Sequence, residues 1–420
     1  MEKLVRPLQI LRSNHYLRDA VILLSGNGLK IFIGFISNII LAKFFSPEML
    51  GVYGTLMAVS LVCVNFTDFG FGNTLNQLTN RYRKQAKEIL SNIFFLKISL
   101  LLLFLAIFYF SIDMLAQHLT ALEGRTDLLK LLILSIAFES FFKFLLSTLQ
   151  AKQLFKRFSL LLVINNSIRL IGIVALYFLK LLTLKTIILL YAASFGMLIF
   201  SNSRIWSFSF RLERRLIEQI SRYAFWVWMF IVFNTLFVKS DILLINYLKY
   251  DKAVIGNYVL IFFFISLISL LQDAIFTQLL PKTSEFRQRS DYQKYYADIK
   301  YIRIGAIIVS LIYVLILPQV LQWIYSDKYQ IEYLPILIFG IPFLFSLFNE
   351  FNGVLLYGMA QHRYISMANI FGLIFVVIGL FMFPSVTTVL HVVLAVTIGK
   401  LVVESFIYLK VKQCLQAIPE

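Results

Sequence analysis

The feature that most constrains this chain is a succession of apolar runs, each too long for an ordinary core helix. "VILLSGNGLKIFIGFISNII" spans Val21 to Ile40, and "LKISLLLLFLAIFYFSI" begins at Leu96. A helix needs about 20 mainly apolar residues to cross a bilayer. In hydrocarbon every backbone N–H and C=O must be paired within the protein, which leaves helices or a closed barrel. Barrel strands alternate in segments of about ten residues. These runs do not alternate, so they are helices. The composition agrees: 60% of the 420 residues are hydrophobic and 15% are charged, against about a quarter charged in soluble domains.

Hydropathy and breakers place twelve spans near 20–43, 49–75, 88–112, 128–150, 157–179, 183–203, 222–247, 254–280, 299–325, 332–357, 363–383 and 386–410. Pro47, Pro281 and Pro384 fall at or near their ends, where helix-breaking residues belong. The first run is too long for a signal-peptide core and lacks a small-residue cleavage site, so it is expected to remain as the first helix.

The net charge of +17 is read as topology rather than nucleic-acid binding. Alternate connections hold "RYRKQAK", "AKQLFKR", "RLERR", Lys282 through Lys300, Arg363, Lys410 and Lys412, together with Lys3, Arg6, Arg12 and Arg18 at the start. The other set holds only Lys43, Arg125, Lys180, Lys185, Lys249, Lys252 and Lys328. That roughly three-fold bias puts both termini in the cytoplasm and requires an even number of spans. The outer connections are too short for an external catalytic domain. Cys63 and Cys414 form no disulfide or metal-ligand spacing.

A weak repeat accompanies the helix count. Gly51 matches Gly256, Tyr53 Tyr258, Asp68 Asp273 and Leu75 Leu280, each 205 residues apart. Six spans separate the copies, so they share one orientation. The expected organisation is an all-α membrane protein of two pseudo-symmetric six-helix lobes, residues 1–203 and 222–420, joined by a cytoplasmic linker at 204–221.

Charges inside the spans carry the functional expectation. Lys30, Lys97, Arg169 and Lys239 lie in the middle of spans one, three, five and seven. A central Lys or Arg costs about 2.5–3.5 kcal/mol against lipid, so these four are expected to line a polar, anion-accepting cavity. The "SGNG" ahead of Lys30 either bends the helix or lets it pack closely. Glu139 with Lys143, and Lys400 with Glu404, have the four-residue spacing of an intrahelical pair. Asp68 and Asp273, each followed by a basic loop, are candidates for a cytoplasmic gate. Glu139, Asp241 and Glu350 are candidates for holding a coupling proton or sodium ion. Trp226 and Trp228 have the character of interfacial belt residues.

"LAKFFSPEMLGVYGTLMAV" followed by "NFTDFGFGNTL" resembles the N-terminal signature of the Wzx-type polysaccharide-biosynthesis flippases, in the exporter superfamily that includes lipid II flippases and multidrug-and-toxin extruders. "SDILLINYLKYDKAVIGNYVL" is similar to that family's seventh helix. The resemblance implies a MATE-like exporter fold and a transporter rather than an enzyme. It also implies a polyprenyl-pyrophosphate-linked oligosaccharide as substrate and a cationic central cavity. A bacterial inner-membrane location, export for O-antigen or another surface polysaccharide, and a polymerase as downstream partner follow from the same resemblance. A multidrug/cation antiporter shares the fold but wants an acidic cavity. A membrane polymerase or ligase wants a sizeable outer loop.

Overall fold

The computed structural model describes residues 15–206, 214–283, 286, 288–359, 361, 363–382 and 388–416, apart from the side chains of several residues within those helices. The described residues are almost entirely helical: α1 (His15–Phe44), α2 (Pro47–Asp68), α3 (Phe71–Arg81), α4 (Ala86–Phe110), the short α5 (Ile112–His118), α6 (Thr126–Ala151), α7 (Phe155–Phe178) and α8 (Leu184–Ser201), then α9 (Arg214–Tyr247), α10 (Lys252–Ile265), α11 (Ile268–Thr283), α12 (Arg289–Tyr325), α13 (Tyr333–Gly358), α14 (Arg363–Met382) and α15 (Val389–Gln416).

Ten of these segments are long and apolar enough to cross a membrane. The other two expected spans are helical as well: α6, with its charged residues, and the consecutive α10 and α11. The chain is a multi-pass membrane protein. Its large apolar side chains are exposed in quantity, among them Leu102, Phe110, Ile171, Phe200 and Ile312, as a lipid-facing surface requires.

Helix ends follow local chemistry. Pro47 opens α2, where its missing N–H is not needed. Thr183 and Thr186 form a reciprocal capping box on α8, and the Asp251 carboxylate accepts from Ala253 N at 2.7 Å to start α10. Helices α6, α7 and α9 stop at Gln153, Lys180 and Lys249, which take left-handed φ of 57°, 58° and 61°. In each case the next residue's N–H reaches back to a carbonyl five residues earlier: Leu154 to Leu149, Leu181 to Leu176 and Tyr250 to Ile245. This is the six-to-one closure that usually recruits glycine.

Two expected spans are interrupted. The second breaks between α2 and α3, where Phe69 and Gly70 both have positive φ, 49° and 70°. A Cβ on Gly70 would also lie 2.4 Å from Ala224 O of α9. The eighth breaks at Ser266 and Leu267. Span one is the opposite case. It runs unbroken through "SGNG", and a Cβ on Gly26 would fall 2.4 Å from that of Ser159 in α7. Close packing, not a bend, accounts for that glycine.

The chain forms two compact units. The first comprises Met1–Ile39, Ser60–Leu115 and Arg125–Val232. Its cores are built around Phe142, Leu145, Leu162 and Phe195, and around Phe71, Leu75, Ile93 and Phe144. The second comprises Ile40–Val59, Ala116–Gly124 and Phe233–Glu420. There α15 packs on α13 and α14, with α12 against α13, around Phe351, Leu355, Val403 and Ile407.

Candidate functional site: charged groups within the two units

In the first unit, α1 and α7 run side by side in the same direction. Gly26 meets Ser159 and Gly34 meets Asn166, and Ser159 Oγ donates to Ile22 O at 3.0 Å. Lys30 lies one turn beyond the first contact and one turn before the second, half-buried on this seam. Arg169 lies on α7 just past it. Its guanidinium carbon is 4.1 Å from the ring centroids of both Tyr191 and Phe195 on α8, and its Nε donates to Ser194 Oγ at 3.1 Å. Two rings and one hydroxyl fix the plane of the guanidinium. Its Nη2 is buried and has no hydrogen-bond partner. One turn earlier, the buried Asn165 Oδ1 also has none. A donor and an acceptor are therefore both unsatisfied on one face of α7.

Lys97 and Asp68, assigned separate roles from sequence, meet. The Lys97 side chain is fully buried on α4. Its Nζ is 3.5 Å from Asp68 Oδ1 and 3.3 Å from Thr67 O. Trp228 of α9 donates from Nε1 to Phe66 O at 3.0 Å and stacks on Phe69 at 5.9 Å. It thereby props the α2–α3 break. The Trp226 side chain lies outside the described residues.

The expected Glu139–Lys143 pair does not form. Both are half-buried on α6, and Lys143 Nζ instead donates to Asn65 Oδ1 at 2.8 Å. An amide on α2 completes the ammonium's coordination better than a carboxylate on its own helix.

The second unit holds a larger polar cluster. Asp241, 4% exposed, accepts from the Tyr258 hydroxyl of α10. Lys239, two residues earlier on α9, has its ammonium 4.9 Å from the Phe262 ring. Lys400 of α15 interacts electrostatically with Asp241 and Glu404 while resting 3.6 Å from the Phe343 ring. It makes no contact ion pair with Glu404, whose Oε2 accepts from Asn349 Nδ2 at 2.8 Å. From there a chain of hydrogen bonds continues. Asn352 Nδ2 donates to Asn349 Oδ1 at 2.7 Å, and Tyr296 donates to Asn352 Oδ1 at 2.7 Å. Two carboxylates and two ammoniums balance here, and Tyr296, Asn349 and Asn352 extend the cluster to α12 and α13.

Glu350 is half-buried beside this chain. The side chain of Asp273 lies outside the described residues. Sequence reading missed Tyr258, Asn349, Asn352 and Arg303, whose guanidinium sits 3.4 Å from the Phe348 ring. The polar pair at three-residue spacing within "SLFNEFNG" was the available signal.

No curated protein matches this sequence significantly. Solved structures share the fold at low identity. An inward-facing multidrug resistance MATE family transporter of the MOP superfamily aligns with TM-score 0.71 and 15% identity, over 95% of this chain and 98% of that one. The lipid II flippase MurJ, in an inward closed conformation, aligns with TM-score 0.74 and 16% identity, over 93% and 87%. A MOP superfamily transporter from Pyrococcus furiosus, described as having a binding pocket of reverse polarity, aligns with TM-score 0.62 and 14% identity, over 96% of both chains. The fold is thus that of the MATE and lipid II flippase structures. The profile of one family, described as "Polysaccharide biosynthesis protein", matches residues 16–287. The chain belongs to this polysaccharide biosynthesis family.

Proposed function

We propose that this protein is a flippase for lipid-linked oligosaccharide. It moves a sugar repeat unit on polyprenyl pyrophosphate from the cytoplasmic to the outer leaflet of a bacterial inner membrane by alternating access. Both termini lie in the cytoplasm, and the repeat unit then passes to a polymerase that builds O-antigen or a related surface polysaccharide. The reading rests on family membership and on a fold shared with a lipid II flippase.

The observation that carries it is the α1–α7 seam, where Lys30 and Arg169 lie a few turns apart at mid-span depth. A guanidinium fixed between two rings, with one buried N–H unpaired, suits a phosphate oxygen, which Arg engages through a fixed fork. Lys30 adds a point charge on the same seam. Lys97, neutralised by Asp68, belongs to the scaffold. Lys239 belongs to the charge-balanced cluster of the second unit, where Asp241 and Glu404 are the acids best placed to take up a coupling proton or sodium ion.

An inside-negative potential assists outward movement of a pyrophosphate by at most about 2.3 kcal/mol per charge per 100 mV. No bond in the substrate is made or broken. The basic seam disfavours the related reading, export of cationic drugs.

The test is the fate of the lipid-linked repeat unit in cells lacking the protein. It should accumulate on the cytoplasmic leaflet while surface polymer disappears. Unchanged polymer with no accumulation would overturn the reading.

A further inference from the structure

Where α3, α4 and α6 end together, the first unit contains a cavity of about 210 Å³. Leu75, Leu90, Ala86 and Ala151 give it apolar walls, and the exposed Lys87 and Lys152 stand beside them. The two threonines that complete it turn their hydroxyl protons inward to their own helices, Thr79 to Leu75 O at 2.6 Å and Thr148 to Phe144 O at 2.9 Å. Their oxygens can still accept, so the ammoniums are the cavity's charged donors. Lys152 gives one N–H to Ile205 O, which leaves two. The last residue of α3 and its connection to α4 carry Arg81, Arg83 and Lys84, all of one sign.

The cavity therefore combines apolar walls at the helix ends with two exposed cations beside them. A free inorganic anion gains nothing from Leu75 and Leu90, and an uncharged lipid gains nothing from Lys87 and Lys152. The geometry points to a resident anionic glycerophospholipid: its phosphodiester lies between Lys87 and Lys152, and its glycerol and upper acyl carbons lie against the leucines. Basic pockets between spanning helices on the cytoplasmic side are sites of this kind. The inference uses the orientation adopted in the proposed function, which puts these ends at the anionic leaflet. It does not depend on what the protein transports.

The experiment is native mass spectrometry of the full chain released from nanodiscs of equal phosphatidylglycerol and phosphatidylcholine. The expected result is preferential retention of phosphatidylglycerol, reduced about five-fold for each lysine replaced by Gln, and restored by Lys87→Arg. Lys87→Gln is the decisive variant, because Lys87 is exposed and its ammonium makes no internal bond, so folding is not at stake. Equal retention of the two lipids, or unchanged preference in Lys87→Gln, overturns the proposal. Displacement of phosphatidylglycerol by inorganic phosphate also overturns it, in favour of a simple ion site. Displacement by an equal amount of sugar-free polyprenyl pyrophosphate overturns it in favour of a substrate entry site. None of these readouts measures flipping, so a failure here is distinct from a failure of the transport reading.

Discussion

Gly51 of α2 and Gly256 of α10, equivalent positions in the internal repeat, pack against each other. A Cβ on Gly51 would lie 3.0 Å from Gly256 N and 2.5 Å from Lys252 O, and one on Gly256 would lie 1.8 Å from Pro47 O. Each copy of the repeat thus keeps its glycine because the other copy's backbone is in the way. Small residues at such crossings let helices approach closely.

Gly256→Ala is expected to destabilise the protein by about 1–3 kcal/mol or more, since backbone rather than a side-chain tip must yield. Gly28→Ala, which meets nothing within 4 Å, is expected to be neutral or slightly stabilising. Thermal unfolding of both variants in the same detergent checks the contrast.

The buried Lys97–Asp68 pair gives a second expectation. Lys97→Met or Asp68→Asn alone leaves one charge uncompensated in the interior and should cost about 3–5 kcal/mol. The double variant should recover much of that loss. Protein level in the membrane and unfolding temperature together form the cycle, and additive losses would show that the two charges act independently.

Asn349 is the joint of the cluster in the second unit, because it serves Glu404 and Asn352 at once. Asn349→Leu should cost about 1–3 kcal/mol by stranding both partners. Tyr296→Phe, at the open end of the chain, removes a single donor and should cost about 1 kcal/mol. Equal effects would contradict the order of the chain. Unfolding curves resolve the difference.

Much of this was legible in the sequence, for physical reasons. Span positions follow from hydropathy, and among the described residues each of the twelve expected segments coincides with a helix or, for the second and eighth, with two consecutive helices. The breaks were harder to see. Phe69 adopts positive φ without being glycine, and its stability comes from Trp228, 159 residues away. Helix stops at Gln153, Lys180 and Lys249 lack the glycine that would announce them. At the site, depth in a span was readable but partnership was not. Lys97 looks like Lys30 in sequence, yet one is fully buried against Asp68 and the other lies half-buried on the α1–α7 seam. The four-residue spacing of Glu139 and Lys143, and of Lys400 and Glu404, suggested local pairs. Amides and rings on neighbouring helices won instead, because Asn65, Asn349 and Phe343 reach those groups across the packing.

Asp127 and Lys185 form an exposed pair at 2.7 Å, with side chains 50% and 59% accessible. The hydrogen bond from Lys185 holds the Asp127 carboxyl below its ordinary pKa. A lowered carboxyl pKa adds stability that is complete above the unfolded value, about 3.9, and is lost as pH falls through the folded value. Solvent screening limits the contribution to under about 1 kcal/mol. Asp127→Asn should therefore lower the unfolding temperature slightly and equally at every pH near neutrality, with the difference vanishing in strong acid. Melting curves across that range check the sign.

The most direct test of the account is flipping by purified protein in proteoliposomes, using a fluorescent oligosaccharide on polyprenyl pyrophosphate. Arg169→Gln and Lys30→Gln should each lower the rate about ten- to hundred-fold, the equivalent of one charge-assisted hydrogen bond of about 1.5–3 kcal/mol, with folding intact. Undiminished flipping by the folded double variant would contradict the claim that the α1–α7 seam receives the pyrophosphate.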